Sequence, residues 1–300
     1  MLRTLQFTLI VLCLFSARTN AQTTETLKKK ISQILLSKNA VVGVTISGPN
    51  TTDTLSINGD KKFPMQSTFK FPIALTMLSE VDKGHFKLDS KVEIKKSEML
   101  PDLWSPIREK YPDGVTLTIG EILRFIITMS DNVGCDVTLK LLGGPKAVEA
   151  YINKLGFSDF AVKINEETMQ NNWDMQFLNW TTPKEANRIL DTFYANKKEL
   201  LSESSYKFIW TLMQESETGK SRLQGQLPKG TLIAHKTGFS GAHKSTGIYA
   251  AVNDIGIIFL PNGKYFCISV FITDSKENLE SNEKIIADIA SAAWLYFSRH

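Results

Sequence analysis

Residues 64–75 read Pro64-Met-Gln-Ser-Thr-Phe-Lys-Phe-Pro-Ile-Ala-Leu75, an apolar run that sets a hydroxyl, Ser67, and an ammonium, Lys70, three positions apart. On a helix, residues i and i+3 lie one turn apart on the same face, so the two side chains meet. Serine is a poor nucleophile near neutral pH unless a base sits beside it, and lysine can be that base where burial and neighbouring cations depress its pKa. The spacing alone is a weak signal: Ser204 to Lys207 and Ser281 to Lys284 repeat it, and both read as surface helix.

Two further motifs separate the first pair from its repeats. Ser130-Asp-Asn132 follows an apolar helix ending at Met129, at a helix-to-helix corner where i and i+2 side chains can point the same way; Ser-x-Asn also recurs at Ser37 and Ser56. Lys236-Thr-Gly238 occurs once, on an expected strand, where glycine lets a ligand approach the backbone closely. Singly, each motif fits local structure. Their order, and separations of 63 and 106 residues, make coincidence a poor account of the three together.

Outward from these motifs the chain begins α-β-β. Leu27 to Leu36 is helix-like, and Ala40 to Ser47 and Thr54 to Asn58 are strand-like, joined by the turn cluster Gly48-Pro-Asn50. The middle is helical. Thr118-Ile-Gly-Glu121 is a capping box opening a helix over Ile119 to Met129, and Thr182-Pro-Lys-Glu185 is a second, with proline at the first helical position, opening a helix to about Asn196. Pro145 to Leu155 and Ser205 to Gln214 read as further helices. The pattern then reverts to strand over Leu232 to Lys236, Gly247 to Val252 with Ile255 to Leu260, and Lys264 to Thr273, before a closing apolar-faced helix over Glu283 to Phe297. Strands at both ends and helices between imply one sheet assembled from the two ends, a helical insertion, and a cleft between two subdomains.

The first 21 residues carry Arg3, an apolar stretch from Leu5 to Phe15, and the small-residue end Thr19-Asn-Ala21, the pattern of a cleaved secretory leader containing Cys13. The apolar part is shorter than the roughly 20 residues a bilayer span needs. Cleavage after Ala21 leaves 279 of 300 residues; losing Arg3 and Arg18 takes 35 basic residues to 33 against 31 acidic ones, a net charge of +2. That balance predicts no polyanion partner, nucleic acid included. Cys135 and Cys267 remain, in a helical and a strand-like pattern, and read as two buried free thiols rather than a bridge.

His85, His235, His243 and His300 are scattered without metal-site spacing, and there is no Cys-x-x-Cys, phosphate-cradling glycine loop or Gly-x-Ser-x-Gly elbow. Metal hydrolysis is therefore disfavoured, and His235 reads as structural.

Ser67-Thr-Phe-Lys70, Ser130-Asp-Asn132 and Lys236-Thr-Gly238 together resemble the three signature elements of the class A serine β-lactamases, and the resemblance runs over essentially the whole chain after the leader. Gln66, Asn165-Glu-Glu167, Gln176-Phe-Leu-Asn-Trp-Thr181 and Ala234-His-Lys-Thr-Gly238 look like the PER- and VEB-type branch, known for extended-spectrum cephalosporin hydrolysis. The resemblance implies an α+β fold of the β-lactamase/transpeptidase type: a five-stranded antiparallel sheet flanked by terminal helices, with an all-helical insertion. Residues 22–66 and 215–300 would form the α/β subdomain and 67–214 the helical one. It also implies a small-molecule β-lactam substrate and no metal or organic cofactor, while the leader points to the periplasm with no membrane attachment once it is removed, and monomer is the default expectation.

By that resemblance Ser67 attacks the lactam carbonyl, and the backbone N–H groups of Ser67 and Phe239 form the oxyanion hole. Lys70, or Glu166 through a water, is the acylation base. Ser130 passes a proton to the departing nitrogen, Asn132 holds the substrate amide or caps the next helix, and Lys236, Thr237 and Gly238 line the substrate strand. Arg222 either joins Lys236 and Thr237 on the substrate carboxylate or is a surface ion-pair partner. Glu166, preferred over Glu167 in a polar loop between helices, separates a β-lactamase from a D-Ala-D-Ala carboxypeptidase or transpeptidase, and the cleavable leader disfavours a penicillin-sensing domain, which would be tethered to a membrane signalling segment. Several positions depart from the usual pattern. Gln170 stands where asparagine is common, Ile164 with Asn179 replaces an Arg–Asp loop ion pair, and Phe239 is bulky, either narrowing the site or pointing to the far face. Trp104 either lines the cleft mouth or covers core.

Overall fold

The computed structural model of the protein describes residues 24–49 and 54–299. The leader expected over residues 1–21, with Cys13, lies outside the described residues, as do Asn50 and His300. In chain order the elements are α1 (24–35), β1 (Val41–Ser47), β2 (Thr54–Ile57), β3 (Phe63–Pro64), a 3₁₀ turn Gln66–Phe69 running into α2 (Lys70–Asp82), β4 (Lys91–Lys95), α3 (Pro106–Lys110), β5 (Gly114–Thr118) and α4 (Ile119–Thr128). They continue with α5 (Asn132–Leu142), α6 (Pro145–Lys154), β6 (Phe160–Ala161), α7 (Glu166–Asn171), a 3₁₀ segment Trp173–Leu178, β7 (Trp180–Thr181), α8 (Pro183–Ala195) and α9 (Glu203–Gln214). Strands β8 (Ile233–Phe239), β9 (Val252–Phe259) and β10 (Tyr265–Thr273) and helix α10 (Leu279–Phe297) close the described chain.

The main sheet is five-stranded and antiparallel throughout, in the order β2-β1-β10-β9-β8. It joins strands from both ends of the chain. Its central strands are buried on both faces, which is why Phe266 to Ile272 is apolar at every position but the buried Ser269 rather than alternating. One face packs with Leu27, Ile31, Ile285, Ile289 and Phe297 of the terminal helices; the other packs with the helical block through Phe63, Phe71, Phe193 and Phe271. Each such side chain contributes about 1.5–3 kcal/mol of apolar burial. Cys135 and Cys267 are free and buried.

Local chemistry explains most helix starts. Thr118 and Glu121 form the full capping box, with Glu121 N donating to Thr118 Oγ1 (3.2 Å) and Thr118 N to Glu121 Oε2 (2.7 Å). The box expected at Thr182 is half made. Thr182 Oγ1 accepts from Glu185 N, but the Thr182 N–H bonds Asp159 O and the Glu185 carboxylate turns to Asp159 N. The strand expected over Gly247 to Val252 is also absent: β9 begins at Val252 and runs unbroken to Phe259, while 241–251 forms a loop stitched by the Ala242–Tyr249 and Tyr249–Ser275 bridges.

Two features of the fold place the nucleophile. The short sheet β3-β7-β6 pairs Phe63 with Thr181 and Thr181 with Phe160, so the segment before Ser67 is clamped to both ends of the loop spanning 162–179. Asn253, fully buried on β9, donates from Nδ2 to Pro64 O (2.8 Å) and Met65 O (3.2 Å), and its Oδ1 accepts from Ile272 N (3.2 Å). Asn253→Ala leaves these buried groups unpaired and is expected to cost about 2 kcal/mol, a Tm lower by roughly 4–8 °C. Thermal unfolding followed by circular dichroism checks this; a Tm equal to the parent's would mean that water takes over the three bonds.

Candidate active site

Ser67 sits in the 3₁₀ turn and Lys70 opens α2, so the i, i+3 pair meets as the spacing requires: Lys70 Nζ donates to Ser67 Oγ at 2.8 Å. The residue before the nucleophile, Gln66, is held at φ +47°, a left-handed conformation that a non-glycine residue adopts only under constraint. Its Nε2 donates to Gln176 Oε1 at 2.7 Å.

Lys70 is fully buried and reaches three acceptors: Ser67 Oγ, Asn132 Oδ1 (2.8 Å) and the carboxylate of Glu166, itself buried. These come from three elements, the 3₁₀ turn before α2 and the starts of α5 and α7. The corner at 130–132 works as the motif suggested. Ser130 takes φ +61°, Asp131 caps α5 by accepting from Gly134 N (2.7 Å), and Ser130 and Asn132 both reach the cleft. Asp131, rather than Asn132, is the helix cap. It is wholly buried, also accepts from Ser105 Oγ and Ile107 N, and burial raises its carboxyl above the usual range.

A second buried ammonium, Lys236 on β8, donates to Ser130 Oγ (2.9 Å) and Thr237 O (3.1 Å). Burial, reinforced by the Lys70 charge, brings its pKa down to about 7. Thr237 and Thr218 place their hydroxyl oxygens 2.7 Å apart, over Gly219, where any Cβ would lie 2.4 Å from Thr237 Cγ2. Arg222 is buried rather than on the surface: Nη1 donates to Gly238 O and Asn253 O, both at 3.0 Å, and Nε to Glu283 Oε1 at 3.2 Å. It still lines the cleft.

Lys236 and Gly238 lie on β8 behind the residues that line the cleft. The missing side chain of Gly238 faces inward: a Cβ would lie 2.5 Å from Met65 O and 3.3 Å from Asn253 Nδ2, so the glycine allows β8 to pack on the turn before Ser67.

Glu166 is also placed differently from expectation. It opens a short helix, α7, capped by Asn165, whose Oδ1 accepts from Thr168 N at 3.1 Å. Asp136 of α5 takes the remaining first-turn donors, accepting from Glu166 N (2.8 Å), Glu167 N (3.0 Å) and Asn165 Nδ2 (3.0 Å). Burial first, and the Glu166 charge second, push the Asp136 carboxyl up to about 7. Glu167 is exposed. The loop is held without an ion pair at 164 and 179. The buried Asn179 amide accepts from Lys163 N (2.8 Å) and Ile164 N (3.1 Å) and donates to Ile164 O (2.9 Å).

The cleft has a volume of about 690 Å³ and is lined by Ser67, Ser130, Asn132, Glu166, Gln170, Arg222 and Thr237, among others. Phe239 faces it, 42% exposed, with its ring on Tyr249, and so does Trp104, 57% exposed, whose Nε1 donates to Met129 O (3.1 Å). Neither points into the core. Sequence reasoning missed Asp136, Asp131, Thr218 and Asn253. Asp136 had a signal, since it lies four residues after Asn132 on one helix face.

A profile of the β-lactamase enzyme family matches residues 26–297. Two relatives from Pseudomonas aeruginosa are β-lactamase VEB-1, 51% identical over 96% of this chain and 96% of its own, and extended-spectrum β-lactamase PER-1, 40% identical over 96% and 92%. The crystal structure of TLA-1 extended-spectrum β-lactamase superposes with a TM-score of 0.89 at 46% identity, over 92% of this chain and 99% of that one. The chain belongs to the class A β-lactamases, in the branch of VEB-1 and PER-1, hydrolases that act on β-lactams.

Proposed function

We propose that the protein opens the β-lactam amide of penicillins and cephalosporins, extended-spectrum cephalosporins included, through an acyl-enzyme on Ser67. One observation carries this reading: a single buried Lys70 ammonium touches the serine hydroxyl, the Asn132 amide and the Glu166 carboxylate at once. Ser67 Oγ attacks the lactam carbonyl, and its proton passes to the Glu166 carboxylate through a water, or to Lys70 once the ammonium has given a proton to Glu166. The backbone N–H groups of Ser67 and Phe239 receive the oxyanion. Ser130 Oγ, itself receiving a hydrogen bond from Lys236, passes its proton to the leaving nitrogen. Lys236, Thr237 and Arg222 bind the substrate carboxylate, with Thr218 beside them, and Asn132 holds the amide of the acyl chain. Gln170, Trp104 and Phe239 shape the space around that chain, and Gly238 contributes its carbonyl to Arg222. Glu166 then activates the water that hydrolyses the ester.

A leader over residues 1–21 exporting a monomer to the periplasm, and subdomains of 22–66 with 215–300 and of 67–214, belong to the same proposal. The Lys70–Glu166 contact disfavours a carboxypeptidase, transpeptidase or sensor, which hold their acyl-enzymes.

Three outcomes are expected. Glu166→Gln should leave an adduct on Ser67, seen by intact-protein mass spectrometry, while the parent turns over a chromogenic cephalosporin. A long-lived adduct on the parent would instead mark a penicillin-binding protein. Asp136→Asn presents an amide N–H to the α7 donors and should slow deacylation about 10- to 100-fold, the worth of one buried unmet group, with acylation less affected. Unchanged burst and steady-state rates would remove Asp136 from the site.

The third concerns pH. Lys236 is charged below about 7 and loses its proton above that, whereas the unfolded chain keeps it to 10.5. Substrate capture should therefore weaken as pH rises through 7, and folding should gain in the same range because a buried charge is lost. The expected result is an alkaline limb in kcat/KM, smaller in kcat because the bound carboxylate holds the proton, and absent in Lys236→Arg. A kcat/KM flat through this range would mean that Lys236 stays charged.

A further inference from the structure

The two walls of the cleft diverge from the catalytic atoms and then meet. One runs along α7 from Glu166 and on to Trp173 at the start of the next 3₁₀ segment, and the other runs off the end of β8 from Thr237 to His243. They join where the Trp173 and His243 rings pack edge to face, centroids 4.9 Å apart and planes at 74°, an arrangement that aromatic quadrupoles favour. Neither ring has a part in the chemistry above.

Both rings are held by stiff backbone. In the 240–251 loop, Ser240 N donates to Ala251 O (3.0 Å), His243 N to Ile248 O (2.9 Å) and Gly247 N to His243 O (2.8 Å), and Ser245 Oγ lies 3.1 Å from His243 Nδ1. Across the cleft, Trp173 O accepts from Gln176 Nε2 at 2.7 Å, and Gln176 Oε1 accepts from Gln66 Nε2 beside the nucleophile. The ring contact thus ends a chain of hydrogen bonds that begins next to Ser67.

We infer that the Trp173–His243 pair is a latch that sets the width of the cleft around the substrate's acyl chain, and so is a specificity-determining contact of this enzyme. The inference rests on the β-lactamase reading above. A compact acyl chain fits within the closed latch. A branched one, extending along α7 toward Trp173, must part the rings and lose their contact energy, so its capture is penalised relative to the compact chain. The penalty falls on binding, because neither ring touches the reacting atoms.

The test uses two cephalosporins that share a nucleus and leaving substituent and differ only in the acyl chain, one unbranched and one branched. Their kcat/KM ratio is measured for the parent, His243→Ala and His243→Phe. In His243→Ala the ratio should shift toward the branched substrate by about 2- to 12-fold, the worth of one edge-to-face pair, chiefly through KM. His243→Phe, which keeps a ring for Trp173, should restore the parent's ratio. A ratio that stays put in the alanine variant, a proportional change for both substrates, or a phenylalanine variant that behaves like alanine would each overturn the latch. The same pair of ligands is bound by calorimetry to Ser67→Gly, with and without His243→Ala. There no acyl-enzyme forms, so selectivity is read independently of turnover. Failure of the parent to hydrolyse either cephalosporin overturns the enzymatic reading; binding selectivity unmoved by His243→Ala overturns the latch.

Discussion

A lysine ammonium with no exposure to water dictates what surrounds it. Desolvating such an ion costs several kcal/mol, and the cost is offset only where acceptors surround it with good geometry. Lys70 meets this condition with a hydroxyl, an amide oxygen and a carboxylate, each supplied by the first residues of a different helical segment. The helical block therefore cannot shift one of these segments without stranding the charge. Packing fixes the segments to within the tolerance of side-chain contact, and the buried ammonium selects the one arrangement in which Ser67, Asn132 and Glu166 converge. The same condition makes the site chemically coupled, because a proton moving on any of the three changes the field felt by the other two.

Lys236 is buried equally deeply but is solvated by neutral groups, Ser130 Oγ and the Thr237 carbonyl, with carboxylates acting only from a distance. That difference in partners gives the two lysines different work. Lys70 sits in a charge pair; Lys236 is under-compensated until an anion arrives. A substrate carboxylate near Lys236, Thr237 and Arg222 supplies the missing charge, so binding there is favoured by relief of desolvation as well as by direct attraction.

Long, regular features were legible in the sequence for physical reasons. The apolar strands β1 and β10, the Thr118 box and the i, i+3 pair at Ser67 each carry a periodic or capping signal within one short window. The two-residue strands β3, β6 and β7 carry none, since pairing that short has no period to show. Gly247 to Val252 has strand-like composition, but three bonds within the 240–251 loop satisfy its backbone before the sheet can. Helix α7 was read as loop because it is polar and six residues long; Asn165 before two acids was its start signal, and Asp136 completes the cap from another helix. Gly238 carries a constraint that no local window shows, because its packing against Met65 O depends on a contact far away in sequence.

The loop that carries Glu166 illustrates how a neutral network can replace an ion pair. An internal Arg–Asp bridge must recover the desolvation of two charges, and its loss leaves one of them bare. The Asn179 amide asks for less: two backbone N–H groups and one carbonyl, all contributed by the neck of the same loop, meet three of its bonding positions while it stays fully buried. With β6 and β7 pairing below, the neck is fixed by neutral bonds across 164 and 179, and the Lys163–Glu149 ion pair lies on its exposed side. Ionisable groups gather at the tip, where Asp136 and Glu166 lie on either side of the same helix start. Burial first, and the Glu166 charge second, raise the Asp136 carboxyl to about 7. Their repulsion is tolerable because Lys70 faces one and three donors face the other. The loop thus seats one carboxylate beside the nucleophile and a second behind it by giving each a different kind of partner, a cation for Glu166 and three N–H donors for Asp136.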